Sequence, residues 1–391
     1  MKNIVIYTMR DNHYEDFLYT SLGIAFEKLG YRVILFDALM KNREANLKKC
    51  LENNEIDFTI GHNELGVYDT TSFEWLYKYY KKIVHVCILD DAPYNIWTQN
   101  VQKVKCEHLL IAYRDRSHFS YLQHLNISNN LFFLPFWALI PVENAYLSDE
   151  GRDIDIFFSG RYYRHCGRVW DISEFPKAMR MKLNIAADIL ERNALPVDSV
   201  MQNIMPKSSD EQNEYIRNCF YSSYMMMFEY IKTYRRTKLM NALLDAGFSV
   251  TVWSDSWKNF QQSSKLNFIQ ADNTEEILNL YKRSRILVQD MAEFNDGSHS
   301  RIGDVTICGA AIISEYSKYL GEIFTSDELL MFNWSKLDML PSHVQYLLDH
   351  PNERKHRVRK MFRKVEKYCL SEQAARVVLA NVEKYRNTHL V

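Results

Sequence analysis

From residue 296 to residue 315 the chain reads Asp-Gly-Ser-His-Ser-Arg-Ile-Gly-Asp-Val-Thr-Ile-Cys-Gly-Ala-Ala-Ile-Ile-Ser-Glu, a dense run of groups that could handle an anionic substrate. Asp296 and Asp304 stand eight residues apart and bracket the start of a short helix predicted over Ser300–Cys308. A helix start offers unpaired backbone N–H groups and the positive end of the helix dipole to an anion, and His299 and Arg301 stand beside it. The two acids also suit a plainer reading, a solvated loop aspartate and a first-turn aspartate favoured by the dipole. A second anion-binding feature is Gly160 with Arg161 and Arg164, at the end of the apolar run Asp153–Phe158. Glycine at a strand end lets backbone approach a phosphate and arginine can chelate one, although a turn glycine with two surface arginines has the same appearance. The Asp153-x-Asp155 pair has metal-ligand spacing, but it opens a strand among apolar neighbours, so no metal site is expected.

These residues need elements to hold them. Arg285–Asp290 reads as a buried strand before the loop, Gly309 has the chemistry of a helix C-cap, and Ala310–Ser314 resumes as a strand. The first half alternates in the same way. Strands are predicted at Asn3–Tyr7, Arg32–Phe36, Asp57–Ile60, Ile83–Leu89, Leu109–Ala112 and Leu131–Leu134. Helices are predicted at Asp16–Leu29, Asn46–Asn54 and Phe73–Lys82, and His62 falls in a loop after the third strand. Apolar strands alternating with helices make a doubly wound parallel sheet whose strand-end loops share one edge, where such folds bind ligands. No Gly-x-Gly-x-x-Gly follows the first strand, so a dinucleotide site has no support there. Pro141, Asn144, Ser148 and Gly151 mark a linker. Beyond it, helices are expected at Trp170–Asn193, Met225–Ala246, Glu275–Arg283 with Thr274 as N-cap, Lys336–His350 and Asn352–Tyr385, while residues 194–212 read as loop.

Length and composition bound the answer. A chain of 391 residues is long for a single core, and two domains are expected, 1–140 and 153–365, with 366–391 as a C-terminal helix. The content of 47% apolar and 25% charged residues is that of an ordinary globular protein. A net charge of −1 argues against a dedicated nucleic-acid binder, which needs a basic face. Seven scattered cysteines without Cys-x-x-Cys spacing point to reduced thiols and a cytoplasmic setting. No secretory leader and no apolar run of membrane-spanning length is visible, so peripheral contact with the inner face of a membrane is the most that is expected. The 25 tyrosines and 7 tryptophans would suit a sugar-facing surface.

The acid-x7-acid spacing running into Cys308-Gly-Ala310 resembles the donor-binding signature of GT-B glycosyltransferases, usually written Glu-x7-Glu. That resemblance implies two Rossmann-like domains facing each other across a cleft, with the last helix returning toward the N-terminal domain. It assigns Asp304 to the ribose of a nucleotide sugar and Asp296 to the sugar, with Glu315 as the alternative ribose ligand; both aspartates are one methylene shorter than the usual glutamates. Arg236-Thr-Lys238-Leu-Met-Asn-Ala-Leu243, Val250-Thr-Val-Trp253-Ser-Asp-Ser-Trp257 and Leu320-Gly-Glu-Ile-Phe324 extend the likeness, as does Asp90-Asp-Ala-Pro93-Tyr94-Asn95 in the first half. Together they resemble the CgeB-like, spore-maturation type glycosyltransferases, from which Ser254 departs by standing where glycine is usual.

What the resemblance implies chemically is transfer of a sugar from a nucleotide-sugar substrate to a hydroxyl on a cell-envelope glycan, a lipid-linked sugar or a protein. Neither a cofactor nor a metal is expected. The charge growing on the departing diphosphate would be met by Gly160, Arg161, Lys238, His299 and Arg301, with Trp253 in the same donor site. A general base for the acceptor would come from strand-end loops of the other domain, where Asp91, His62 and His13 are placed. Asp91 leads because Pro93 could fix its direction, although Asp before Ala-Pro is also an ordinary turn. Two other readings stay open, a GT-B-fold sugar epimerase and a catalytically silent nucleotide-sugar-binding or scaffold protein. A phosphorylase has no lysine segment suited to pyridoxal phosphate.

Overall fold

A computed structural model describes the chain except for residues 1, 10–12, 67–82, 95–100, 102–107, 125–129, 140–148, 163–166, 173, 194, 205–213, 293 and 391. The expected helix at 73–82, the residues Pro141, Asn144 and Ser148, and Arg164 therefore lie outside the described residues. The chain forms two compact units: residues 1–141, 298–303 and 365–391 make the first, and 142–297 with 304–364 the second.

The first unit is built on a parallel sheet of six strands in the order β2-β1-β3-β4-β5-β6. These are β1 (Asn3–Thr8), β2 (Arg32–Asp37), β3 (Ile56–His62), β4 (Val84–Leu89), β5 (Leu109–Tyr113) and β6 (Leu131–Phe133). Every residue of β4 is buried, which is why its sequence is a continuous run of apolar residues broken only by His85. His85 lies 2.7 Å from Thr59 through Nδ1, and burial lowers its pKa to about 3, so it stays neutral. The helix His13–Lys28 covers one stretch of the sheet and packs against the C-terminal helix Ser371–His389. That last helix buries Ala374, Ala375, Val378, Val382 and Tyr385 in the first unit. The Tyr385 hydroxyl lies 3.0 Å from Nδ1 of His108, and Arg386 donates to the carbonyl of Asp57.

The second unit repeats the plan in the order β12-β11-β10-β7-β8-β9, again parallel. Its strands are β7 (Ile154–Phe158), β8 (Val250–Val252), β9 (Leu266–Phe268), β10 (Ser284–Gln289), β11 (Ala311–Glu315) and β12 (Leu330–Phe332). The long helix Glu214–Asp245 buries Leu239, Met240 and Leu243 against Ile156, Val252, Ile286 and Ile313. Arg152, 6% exposed, serves the backbone: its guanidinium donates to the carbonyls of Lys282 (2.8 Å), Ser284 (2.6 Å) and Cys308 (3.1 Å). It thereby pairs carbonyls that two helix ends would otherwise leave unmatched.

Four sequence expectations are corrected. Residues 194–212 contain a helix, Val197–Ile204, which packs Val197, Val200 and Met201 inward. The N-cap before the helix Thr274–Arg283 is Asn273, whose side chain accepts from the N–H of Glu276 at 3.0 Å. Glu276 reaches back to the N–H of Asp272 at 2.7 Å, so a reciprocal capping arrangement moves the helix start one residue earlier. The span expected as one helix over Asn352–Tyr385 is two, Pro351–Tyr368 and Ser371–His389. The break at Cys369–Leu370 is where Ala138 bridges in, its N–H donating to the carbonyl of Cys369 at 2.6 Å. Finally, His62 is the last residue of β3 and no loop residue. Asp153 and Asp155 pair with Arg283 and Arg285 respectively. Among the described residues no helix is long and apolar enough to cross a membrane, and the five described cysteines are free.

Candidate functional site

In the second unit β8 and β9 are laid down on one side of β7, and β10, β11 and β12 on the other. The direction therefore reverses between β7 and β10, and the space beyond their carboxyl ends is where an open parallel sheet binds ligands. Ser159-Gly160-Arg161 leaves β7 there, and Asp290-Met291 leaves β10. One side chain of the helix Glu214–Asp245 joins them. Arg236, 3% exposed, donates through Nε to Oδ2 of Asp290 at 3.0 Å and through Nη1 to the carbonyl of Arg161.

Gly160 is needed for this arrangement. A Cβ at 160 would lie 2.7 Å from the ring of Phe158 and 3.0 Å from the guanidinium carbon of Arg236. The same backbone is held from β8: Trp253 donates through Nε1 to the carbonyl of Ser159, and Trp257 to that of Gly160 at 2.7 Å. The strand end is thus fixed by three buried or half-buried side chains, while the Arg161 side chain stays exposed with its guanidinium 5.4 Å from the Trp253 ring centroid. Lys238 also stays exposed, near the ring of Tyr234 at 5.5 Å. Arg161 and Lys238 are cations that an anion can reach; Arg236 is a cation already engaged.

The carboxylates of the 296–315 stretch divide in the same way. Glu315, 5% exposed at the end of β11, accepts from the N–H of Met291 at 2.7 Å and from Trp334 Nε1 at 2.5 Å, and lies 3.7 Å from Arg235. Burial raises its pKa, outweighing Arg235 and the two donors that favour the anion. Glu315 is therefore placed to tie the end of β11 to the start of β10's loop and to Trp334. Asp304 sits inside the helix Ser300–Ile307 and is 1% exposed. Burial, with Asp304 adding its charge, pushes the Cys308 thiol up to about 12. Asp296 is half-buried with Lys318 Nζ at 3.7 Å, and its loop is held by Ser317 Oγ, which donates to the carbonyl of Gly297 at 2.6 Å.

His299 and Arg301 belong to the first unit. The His299 ring stacks on Phe136 at 5.7 Å, and Nη2 of Arg301 lies 2.7 Å from His299 Nε2. The backbone N–H of Arg301 donates to Nδ1 at 3.2 Å, and Ser300 Oγ lies 3.2 Å from the same nitrogen, so both ring nitrogens face donors of Arg301. Arg114, fully buried after β5, places its guanidinium over the Phe136 ring at 4.2 Å.

In that unit β2 lies on one side of β1 and β3 on the other, so the reversal falls between β1 and β3. The residues beyond these two strand ends include Glu15, in the first turn of the helix after β1, and His62 itself. His62 is 3% exposed and stacks on Tyr19 at 5.0 Å; burial lowers its pKa, and Asp90 at 3.8 Å only partly offsets this. A buried, neutral imidazole at a strand end differs from the accessible loop histidine that the sequence suggests. His13 opens its helix, with its side chain outside the described residues.

The Asp90-Asp91 pair splits by environment. Asp90 accepts from Arg114 Nε at 3.0 Å and from the Tyr19 hydroxyl at 2.9 Å, and its N–H donates to Asn63 Oδ1 at 3.0 Å. Asp91 is exposed, with Asn63 Nδ2 3.4 Å from its carboxylate. Glu15 is half-buried, and its pKa is raised to about 7, first by burial and then by the charges of Asp90, Asp91 and Asp16. Sequence reasoning missed Glu15, Arg114, Arg236 and Asp290. The Arg235-Arg236 pair inside an apolar helix stretch was a legible signal for the last two, but nothing local marks Glu15.

Two parallel six-stranded sheets with flanking helices, each with a strand-end site of this kind, define the α/β architecture of GT-B glycosyltransferases. Residues 235–380 match the family described as "Glycosyl transferase-like". Solved structures with the same fold include sucrose-phosphate synthase from Thermosynechococcus elongatus, at 11% identity, covering 99% of each chain with a TM-score of 0.53. A glycosyltransferase from Rickettsia africae superposes at 9% identity and a TM-score of 0.52, covering 99% of this chain and 98% of that one. Anabaena HepE, determined in complex with UDP and glucose, does so at 7% identity and 0.53, covering 98% of this chain and all of that one. No curated protein matches the chain in sequence.

Proposed function

We propose that this chain is a glycosyltransferase that moves a sugar from a nucleotide-sugar donor to a hydroxyl of a cell-envelope glycan, a lipid-linked sugar or a protein. One observation carries the reading. The family match begins at Arg235-Arg236, the pair whose side chains organise the strand-end site of the second unit around Gly160, Asp290 and Glu315. In this reading that unit binds the donor. Arg161 and Lys238 neutralise charge on the departing diphosphate, Asp304 meets the ribose and Asp296 the sugar.

The first unit supplies the proton acceptor. In an inverting displacement the acceptor hydroxyl gives its proton to a carboxylate as its oxygen bonds to the anomeric carbon; the bond from that carbon to the diphosphate breaks and the diphosphate departs with the electron pair. Glu15 fits the acceptor's role better than Asp91, since a base works best with a pKa near the operating pH and Glu15 lies at about 7. Asp91 remains the more accessible of the two.

Calorimetric titration with a panel of nucleotide sugars, followed for slow release of free sugar, tests the assignment. Turnover of one donor supports it; tight binding without turnover of any donor returns the silent-binder reading; no binding at all sinks both. Turnover is expected to survive a chelator, and activity lost to chelation but restored by manganese would show that a metal takes part. Asp304→Ala should weaken nucleotide and nucleotide sugar alike. Asp296→Ala should leave free nucleotide binding nearly intact while reducing transfer, because its contact exists only when a sugar is attached.

A further inference from the structure

The helix Pro351–Tyr368 carries eight Lys and Arg against two Glu, a net +6 in a chain whose total is −1. Its charges are not used alike. Arg354 is buried on Asp149 and on the carbonyl of Leu347, and Lys355 lies 3.6 Å from Asp149. Arg357 pairs with Glu353 at 2.8 Å, and Lys364 with Glu328 at 2.6 Å. Those four flank the core-facing stripe of Val358, Met361, Phe362 and Val365.

Opposite that stripe lie His356, Arg359, Lys360 and Arg363. At 100° per residue these four span an arc of about 100° roughly across from the buried residues, and Lys367 falls within it. Three of them are exposed and Lys360 is half-exposed. Arg359, Lys360 and Arg363 make no ion pair among the described residues; the helix's two acids stand at the edges of their arc, about 20° outside it, and Glu353 is already paired with Arg357. A solvated helix face ordinarily mixes both signs, which lowers its self-repulsion; a crest of one sign has to be held against that repulsion.

We propose that this crest is a docking surface for the anionic headgroup layer of a membrane. A straight helix presenting a row of long cationic side chains on stems that can reach sideways fits a flat array of negative headgroups. The observations favour this partner over a nucleic acid. The exposed row has no aromatic residue at 359, 360 or 363, whereas single-stranded nucleic acid is held in a groove with aromatic faces for its bases. The inference stands independently of the proposed transfer reaction.

Flotation of the full chain with phosphatidylcholine vesicles, with and without phosphatidylglycerol, tests it. Binding is expected only to the vesicles containing phosphatidylglycerol, and raised salt should release it. The triple variant Arg359→Gln, Lys360→Gln, Arg363→Gln should keep the parent's circular dichroism and melting temperature, since all three side chains lie off the core. Its partitioning should fall about a hundred-fold, roughly five-fold for each charge removed. A control with the same charge change elsewhere, Lys41→Gln, Lys49→Gln, Lys265→Gln, should bind like the parent. Three outcomes overturn the proposal: no flotation with anionic vesicles, equal loss in the control, or a folded triple variant that still binds. An oligonucleotide that binds the parent and strips it from vesicles would assign the crest to nucleic acid and overturn it too.

Discussion

Arg236 and Arg161 stand next to the same carbonyl but answer to different physics, and substitution separates them. Arg236 is buried on Asp290, so Arg236→Ala leaves a carboxylate out of water without its cation. That should cost about 3–5 kcal/mol of stability, read as a lowered urea midpoint. Arg161 is exposed, and Arg161→Ala should leave the midpoint unchanged while weakening nucleotide-diphosphate binding by about 1.5–3 kcal/mol, the range of a charge-assisted hydrogen bond. Equal affinity in parent and Arg161→Ala would remove it from the donor site. Glu15 makes a prediction about pH. A carboxylate must be ionised to accept a proton, so kcat/KM should rise as pH rises through about 7, and Glu15→Gln should remove that limb along with most turnover. Its folded pKa lies above the ordinary carboxylate value of 4.5, so the fold holds a proton that the unfolded chain releases. The resulting stabilisation is present in full below pH 4.5 and fades as pH rises through about 7; the urea midpoint should fall over that window less in Glu15→Gln than in the parent. A parent and variant with superimposable pH profiles would exclude Glu15 as the proton acceptor. Residues of this kind are poorly legible in a sequence. Gly160 and Arg161 announce themselves by type at a strand end, whereas Glu15 and Arg114 gain meaning only when a parallel sheet brings the ends of β1, β4 and β5 side by side.

At the scale of elements, the strands were readable because a sheet covered on both faces demands unbroken apolar runs, as in Val84–Leu89 and Ser284–Gln289. Helix ends were less so, because they are decided by one side chain meeting one backbone group. Thr274 and Asn273 are both capping residues, and the structure chose Asn273 since only from there does Glu276 complete the reciprocal pair. Asn273→Ala should accordingly cost about 1 kcal/mol, with Thr274→Ala costing less through this route; thermal melts of the two variants in reverse order would put the cap back at Thr274. The break at Cys369–Leu370 had no local signal at all. Neither residue is a helix breaker, and the interruption comes from Ala138, distant in sequence, which takes the Cys369 carbonyl. Residues 197–204 show the opposite failure: a composition rich in polar residues and prolines concealed a short helix whose three buried apolar side chains stabilise it.

At the scale of the whole molecule, the first unit takes its closing helix from the far end of the chain. Ser371–His389 buries five side chains there and adds the contacts of Tyr385 with His108, Arg386 with Asp57 and Lys28 with Glu372. A fragment of residues 1–141 should therefore lack a cooperative unfolding transition, and a separate peptide spanning 365–391 should restore one on mixing, followed by circular dichroism against urea. A fragment that unfolds cooperatively by itself would show the last helix to be dispensable. If it is not, the order of synthesis runs against the order of completion. Chains usually fold their N-terminal domain first, as it leaves the ribosome. Here the six strands that emerge first must wait, with the helix His13–Lys28 uncovered, while every residue of the second unit is translated. The early unit is then a client for whatever holds unfinished chains in the cell, and a nascent chain that stops between residues 365 and 370 carries a finished second unit beside an unfinished first one.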